Sequence, residues 1–325
     1  MLDIQHGSHG VDCVADHIRL GGVAVLPTET VYGLFGRTDD PAAIAKIYAL
    51  KGRPSNNPLI AHVLDTASAK MLTSHWPSAA DVLCAAFWPG PLTIVVPRIS
   101  TVLPQAVGGF DSIAIRSPQH QLTRAVLAAV GQPLSAPSAN RSGNVSPTCV
   151  AHVQHDYEGV IDAKDLMVLD GGPCTAGLES TVIDLTGDQP ALLRAGSVSH
   201  EAIEGVLGSP IQNVLPTSQT ASPGTRTRHY ATRTPLELVE HKDLMSALSS
   251  HMVTCVIGSV DLTIEQPHQH LVLPNSPIEA ARVLYDILRR ADATNTTRII
   301  VVKPPHTTPW QTINDRLARA ATPLK

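Results

Sequence analysis

Three short stretches of this chain carry residue types suited to polar chemistry. Pro27-Thr28-Glu29-Thr30-Val31-Tyr32-Gly33-Leu34 sets hydroxyls and a carboxylate directly behind the apolar run Val23-Ala24-Val25-Leu26. Strand ends in α/β sheets are where ligand groups collect, although a turn with helix-capping threonines would use the same residues. The second stretch is Lys51-Gly52-Arg53-Pro54-Ser55-Asn56-Asn57-Pro58-Leu59. Pro54 disfavours helical geometry at Arg53, and residues i and i+2 of an extended chain face one side. Lys51 and Arg53 could then present two cations to one polyphosphate; the commoner fate of a lone K-x-R is a pair of solvated surface charges. The third stretch, Ser135-Ala136-Pro137-Ser138-Ala139-Asn140-Arg141-Ser142-Gly143, has little bulk and many donors and acceptors. Such a loop lets a ligand approach the backbone, and its plain alternative is an Asn/Ser turn.

Isolated residues add to this set. Arg116 ends an Ala-Ile-Arg run, where a planar guanidinium suits a two-pronged grip on a carboxylate. His62 lies on the strand after Leu59, a place where a lone histidine is more often structural. Glu179-Ser180-Thr181 and Arg194 offer polar groups at hairpin ends. Ser146-Pro147-Thr148 is expected to open a helix, with Ser146 as its cap.

The elements that must position these residues alternate. Asp12 to Leu20 reads as an amphipathic helix closed by Gly21-Gly22, followed by a buried strand at Val23 to Leu26. Asp40 and Pro41 start a second helix that Gly52 stops. Strands are expected at 59–63, 92–96 and 113–115, and helices at 78–88, 119–130 and 199–207. Thr181 to Leu185 and Ala191 to Arg194 form a hairpin. Mixed strands and helices argue for an α/β domain of α+β character. Residues 209–233 are rich in Ser, Thr, Pro and Gln without an apolar period and read as a linker. A smaller α/β domain follows, with strands at 234–239, 253–257 and 298–302 and helices at 240–250, 277–291 and 309–321. The expected domains are thus 1–208 and 234–325, joined by 209–233.

Composition narrows the functional class. A chain of 325 residues suffices for about two domains. Net charge is −4, which lacks the global positive field of a protein built to grip nucleic acid. The five cysteines are scattered and odd in number, so neither a disulfide framework nor a thiolate zinc site is expected. His152 with His155, and His268 with His270, have no carboxylate or cysteine cluster beside them, and no metal ligands are assigned. The start lacks a basic stretch followed by an apolar core, and no apolar run approaches the ~20 residues of a bilayer span. A cytoplasmic protein is expected, without membrane or stable nucleic-acid binding.

Together the motifs resemble the YrdC-like family, in its long two-domain threonylcarbamoyl-AMP synthase form. The resemblance rests on PTETVYGL at 27–34, KGRPSNNPL at 51–59, WPGPLT at 88–93, Ser112 to Arg116, SAPSAN at 135–140 and GLESTVIDL at 177–185. LLRAG at 192–196 and SPGTRTRHYA at 222–231 complete it. It implies a twisted mixed sheet with helices around a concave, positively charged cavity, plus a small Rossmann-like C-terminal domain. It implies synthesis of L-threonylcarbamoyladenylate from ATP, L-threonine and bicarbonate, with Mg²⁺ accompanying ATP and the product passing to a tRNA threonylcarbamoyl-transferase machinery.

Residue by residue, the resemblance assigns Thr30, His62, Arg116, Ala136 and Ser180 to threonine. It assigns Arg53, Asn57, Ser112, Ser138, Asn140, Ser146, Arg194 and Tyr230 to ATP, and makes Lys51 and Arg53 the catalytic cations. The linker departs from the family text, which reads closer to SPGMKYRHYA: Thr225, Arg226 and Thr227 stand where Met, Lys and Tyr are expected. Two other readings compete, a non-catalytic RNA-binding module and a carbamoyl-transfer enzyme. The acidic balance weighs against the first, and the lack of acylphosphate or zinc motifs against the second.

Overall fold

The computed structural model describes residues 2–160, 166–213, 229–248 and 252–321. They divide into two units, one of Met1–Ser142, Pro147–Thr175 and Glu179–Thr225, the other of Gly143–Ser146, Ala176–Leu178 and Arg226–Lys325. The linker text at 222–228, including Thr225, Arg226 and Thr227, lies outside the described residues, as does most of the expected linker.

In the first unit the order is β1 Asp3–His6, α1 Gly7–Arg19, β2 Ala24–Leu26, β3 Gly33–Arg37, α2 Pro41–Lys51, β4 Ile60–His62, α3 Thr66–Lys70, α4 Ser78–Phe87 and β5 Leu92–Pro97. It continues with β6 Ser112–Arg116, α5 Gln121–Val130, β7 Leu134–Ala136, α6 Val150–Tyr157, β8 Met167–Asp170, β9 Thr181–Asp184, β10 Ala191–Arg194, α7 His200–Leu207 and β11 Gln212–Asn213. The strands form one sheet in the order β1-β8-β2-β3-β7-β4-β6-β5-β9-β10-β11. It is mixed: β4 and β6 run parallel, as do β5 and β9, while β7 against β4 and β5 against β6 are antiparallel.

Helix α2 shows how local signals set the frame. The Asp40 carboxylate accepts from the Ala42 and Ala43 amides, Pro41 occupies the first turn, and Gly52 closes the helix at φ 64°. Such a cap is worth about 1 kcal/mol, and the left-handed closure favours glycine. The expected extended Lys51-Gly52-Arg53 segment is corrected by this geometry. Lys51 is the last helical residue and Gly52 turns the chain, so the two cations do not share an extended edge. The helix expected at Ser146 begins instead at Val150 with Cys149 at its cap position. β11, inside the stretch read as linker, pairs with β10.

Period and register decide which sheet face holds the polar groups. Facing residues of neighbouring strands point to the same side, and each strand alternates. Ala61, Ile94, Ile113, Ile115 and Ile183 share one face, buried with Leu83 and Cys84 of α4 and Ile203 of α7. Each isoleucine or leucine among them contributes roughly 1.5–3 kcal/mol on burial. The opposite face carries a small apolar patch of Ile60, Val95, Ala114, Val182 and Leu193. Around that patch stand His62 and Arg116, which face each other across β4 and β6, and Thr93, which faces Val182. Ser112 and Ala136 lie on this same face by alternation and register. An irregularity between Leu192 and Arg194 sets Arg194 opposite Val182; a bulge re-aims a side chain in this way.

The second unit has β12 Leu236–Val239, α8 Leu244–Leu248, β13 Thr254–Gly258, β14 Gln269–Val272, α9 Pro277–Asp292, β15 Arg298–Val302 and α10 Gln311–Ala320. Its sheet, ordered β12-β15-β13-β14, is parallel throughout the described pairings. α9 buries Ala280, Leu284, Tyr285, Ile287, Leu288 and Ala291, the one-sided stripe of an amphipathic helix. No helix among the described residues is long and apolar enough to cross a membrane.

Candidate active site

The loop after β2 is shaped by its own threonines. Thr28 Oγ1 accepts from the amides of Thr30 and Val31 and donates to the Val31 carbonyl. No helix follows; the side chain closes a local turn in place of a ladder bond. The turn carries Thr30 to Arg116, whose Nη1 donates to Thr30 Oγ1 at 2.8 Å while its Nε donates to the Gly90 carbonyl at 3.2 Å. Arg116 Nη2 lies 2.7 Å from Glu29 Oε1, and Glu29 Oε2 accepts from the Gln119 amide. Both side chains of this ion pair are buried.

His62, on the neighbouring strand, is 4% exposed. Burial pushes its pKa down to about 3, and the Arg116 charge adds to the shift. At neutral pH the ring is uncharged, with Nδ1 3.1 Å from the Ile60 carbonyl. It packs on Phe35 with ring centroids 4.8 Å apart. Uncharged polarity beside a guanidinium suits a group that reads a hydroxyl.

Ser180 precedes β9 and joins the expected Arg194 to a residue that was not expected, Thr93. Its Oγ is 2.7 Å from Thr93 Oγ1, and its carbonyl and Oγ accept from Arg194 Nη2 at 2.9 and 3.0 Å. Gly196 makes this possible. A Cβ there would meet Thr181 N at 2.3 Å and the Ser180 carbonyl carbon at 2.4 Å, so the backbone after β10 passes directly against the Ser180 segment. Sequence reasoning did not single out Thr93. Its signal was a lone hydroxyl in the otherwise apolar run Pro91-Leu92-Thr93-Ile94-Val95-Val96.

A second group forms at the end of α2. Lys51 Nζ donates to the carbonyls of Ser138 and Asn140 at 2.7 and 2.8 Å, and lies within reach of Asn140 Oδ1 and Ser138 Oγ. An ammonium has three N–H groups, and those carbonyls and amide oxygen engage them all. Burial holds the Lys51 pKa well below the ordinary lysine range. Lys51 therefore pins the SAPSAN turn, a different task from the expected open cation. Arg53 folds back on its own loop, donating to the carbonyls of Asn57 and Pro58 and to Asn57 Oδ1. Ser138 Oγ donates to Asn140 Oδ1 at 2.6 Å.

Ser112 opens β6, four residues from Arg116, a span of about 13 Å along the strand. Ala136 ends β7 opposite Ile60, and its methyl keeps that part of the face shallow. Ser146 and Tyr230 belong to the second unit. There the Ala231 amide bonds to the Gly143 carbonyl. The Tyr230 ring is fully buried, stacked on Tyr285 at 5.4 Å with the Arg316 guanidinium 5.1 Å from its centroid. Its φ of 61° is unusual for a residue with a side chain, and the contacts of its ring with Tyr285 and Arg316 hold it.

Among the described residues no group of three or more His, Cys, Asp or Glu forms a metal cage.

Two family models match the chain in succession. The Sua5, YciO and YrdC model, described as telomere recombination, covers residues 16–196, and the Sua5 model described as the C-terminal domain of threonylcarbamoyl-AMP synthase covers 198–322. The threonylcarbamoyl-AMP synthase of Bacillus subtilis is 42% identical over 232 residues, which span 69% of this chain and 64% of that protein. Its counterpart in Pyrococcus abyssi is 36% identical over 301 residues, 88% of this chain and 86% of that protein. The solved structure of P. abyssi Sua5 complexed with L-threonine superposes with a TM-score of 0.90 at 32% identity, covering 99% of this chain and 97% of that one. Escherichia coli YciO, at 22% identity and a TM-score of 0.51, shares 60% of this chain as a likeness of fold. With both models matched in order along one polypeptide, the chain belongs to the Sua5, YciO and YrdC family in its two-domain form.

Proposed function

We propose that this protein condenses ATP, L-threonine and bicarbonate into L-threonylcarbamoyladenylate and releases pyrophosphate. The observation that carries this reading is the single polar sheet face, where buried Arg116, neutral His62 and the Ser180–Arg194 pair stand together. Two-domain relatives that carry this activity in their names support it.

The threonine amine is carboxylated to a carbamate. A carbamate oxygen attacks the α-phosphorus, a new P–O bond forms, and the bond to pyrophosphate breaks. Arg116 takes the amino-acid carboxylate. Thr30, His62 and Ser180 supply uncharged hydrogen-bond partners, and Ala136 leaves room above the sheet. Arg53, Asn57, Ser112, Ser138, Asn140 and Arg194 serve ATP, which brings Mg²⁺ as its chelate. Phosphoryl-centre chemistry needs alignment and charge more than a strong base, and the carbamate is already anionic. The acyl-adenylate then serves a transferase that modifies adenosine 37 of tRNA.

Purified protein with Mg²⁺ and all three substrates is expected to release pyrophosphate, falling to background when threonine or bicarbonate is omitted. No release above background with the complete mixture would overturn the reading. Tight, salt-sensitive tRNA binding without turnover would point to an RNA-binding module instead.

A further inference from the structure

The Glu29–Arg116 pair is arranged unusually for an ion pair that only braces a fold. Each partner is tied down from behind. Glu29 Oε2 accepts from the Gln119 amide at 3.1 Å, and Arg116 is held through Nε on Gly90 and Nη1 on Thr30. The two atoms that meet, Glu29 Oε1 and Arg116 Nη2, are 2.7 Å apart. Neither has a hydrogen-bond partner among the described residues. The contact is close but off axis, so a buried donor and a buried acceptor are left side by side. Leaving both unmade in the interior is costly, and a buried pair of this kind is weak evidence for stability by itself. A ligand that brings an anion and a hydrogen-bonding amine on neighbouring atoms would satisfy both. An α-amino acid is such a ligand, since one carbon separates its carboxylate from its nitrogen.

Resting on the proposed threonine chemistry, we infer that Glu29 is a substrate-binding residue: its Oε1 accepts from the amino group of the amino acid while Arg116 Nη2 donates to the carboxylate. The pair recognises the charge pattern of an amino acid, and hydroxy acids and simple carboxylates fit it poorly. Glu29 also keeps the guanidinium from carrying a full uncompensated charge when no substrate is bound. The remaining groups of the face, His62, Ser180 and Thr93, are then left to read the side chain.

The test compares L-threonine with 2,3-dihydroxybutanoate, in which a hydroxyl replaces the amine, by calorimetric binding to the full chain in the presence of a non-hydrolysable ATP analogue. Wild-type protein is expected to bind threonine at least about tenfold more tightly than the hydroxy acid, as a charge-assisted hydrogen bond allows. In Glu29→Gln this ratio is expected to fall below about threefold, with the affinity for the ATP analogue changed by less than about twofold. If Glu29 only positions Arg116, both ligands weaken together, the ratio stays at its wild-type value, and the inference is overturned. Should Glu29→Gln not fold, Glu29→Asp retains the charge one methylene short. There a partly reduced ratio supports the inference, and an unchanged ratio overturns it. Wild-type pyrophosphate release is measured alongside, so failure of the overall reaction is seen separately from failure of this residue's role.

Discussion

His62 shows how one side chain links burial, chemistry and stability. Its pKa of about 3 lies well below the ordinary value near 6.5, so the native ring stays neutral where an unfolded chain takes up a proton. The unfolded state therefore binds more protons between about pH 6.5 and 3. Stability falls as pH drops through that window, by up to about 1.4 kcal/mol per pH unit from this group. Replacing His62 by Gln is expected to flatten the pH dependence of denaturant unfolding between about pH 6.5 and 4. An unchanged slope would show that His62 is not the group being protonated. Lys51 differs in kind. It is equally buried, and its Nζ donates to the carbonyls of Ser138 and Asn140, which ties a helix end to a loop.

At the scale of elements, the alternation of β6 and the bulge of β10 matter most. Ser112, Ala114 and Arg116 alternate with Ile113 and Ile115, so burying the isoleucines against α4 and α7 obliges Arg116 to face the other way. A slip of one residue would exchange the two sets. Arg194 reaches the same face because the chain bulges before it, and Gly196 lets the following backbone pass against Ser180. Gly196→Ala is expected to push the Ser180 segment aside and lower kcat/KM for threonine about 10²-fold, the scale on which a displacement near 1 Å acts. Far-ultraviolet circular dichroism should remain close to wild type. Activity within threefold of wild type would mean that the close approach does not set the site.

For the molecule as a whole, thiol accessibility gives a reading of both units at once. Cys84, Cys174 and Cys255 are buried, while Cys13 and Cys149 are partly exposed. Burial pushes the Cys84 thiol up to about 12 and that of Cys174 higher still. The Cys149 pKa falls below its ordinary value, because hydrogen bonds and charge from His152 outweigh the opposing effect of burial. Native protein at pH 8 is expected to react with Ellman's reagent at two of its five thiols, Cys149 faster than Cys13, and the denatured chain at all five. Rapid labelling of a third thiol in the native state would show that one of the two cores opens more readily than its packing implies.

Much of this was legible without coordinates, where the signal is local. Asp40, Pro41 and Gly52 delimit α2, Ser199 caps α7 through the Ala202 amide, and the β9–β10 hairpin follows from alternation around a polar turn. The motif order identified the family and named His62, Arg116, Ser180 and Arg194, which lie on the polar sheet face. The short strands β3 and β7 run for only five and three residues, too few to display a period, and β1 and β8 are joined only through pairing distant in sequence. Contacts of the same long range decided the roles of the charged residues. Lys51 in K-G-R resembles an open cation, but the turn 87–89 residues further on accepts its hydrogen bonds. Glu29 between two threonines resembles part of a turn, but β6 brings Arg116 to its free oxygen. Sequence therefore determined which polar groups exist and which elements carry them. Tertiary structure decided which of them are already satisfied by one another and which remain for a ligand, because hydrogen-bond satisfaction depends on neighbours that the chain supplies from far away.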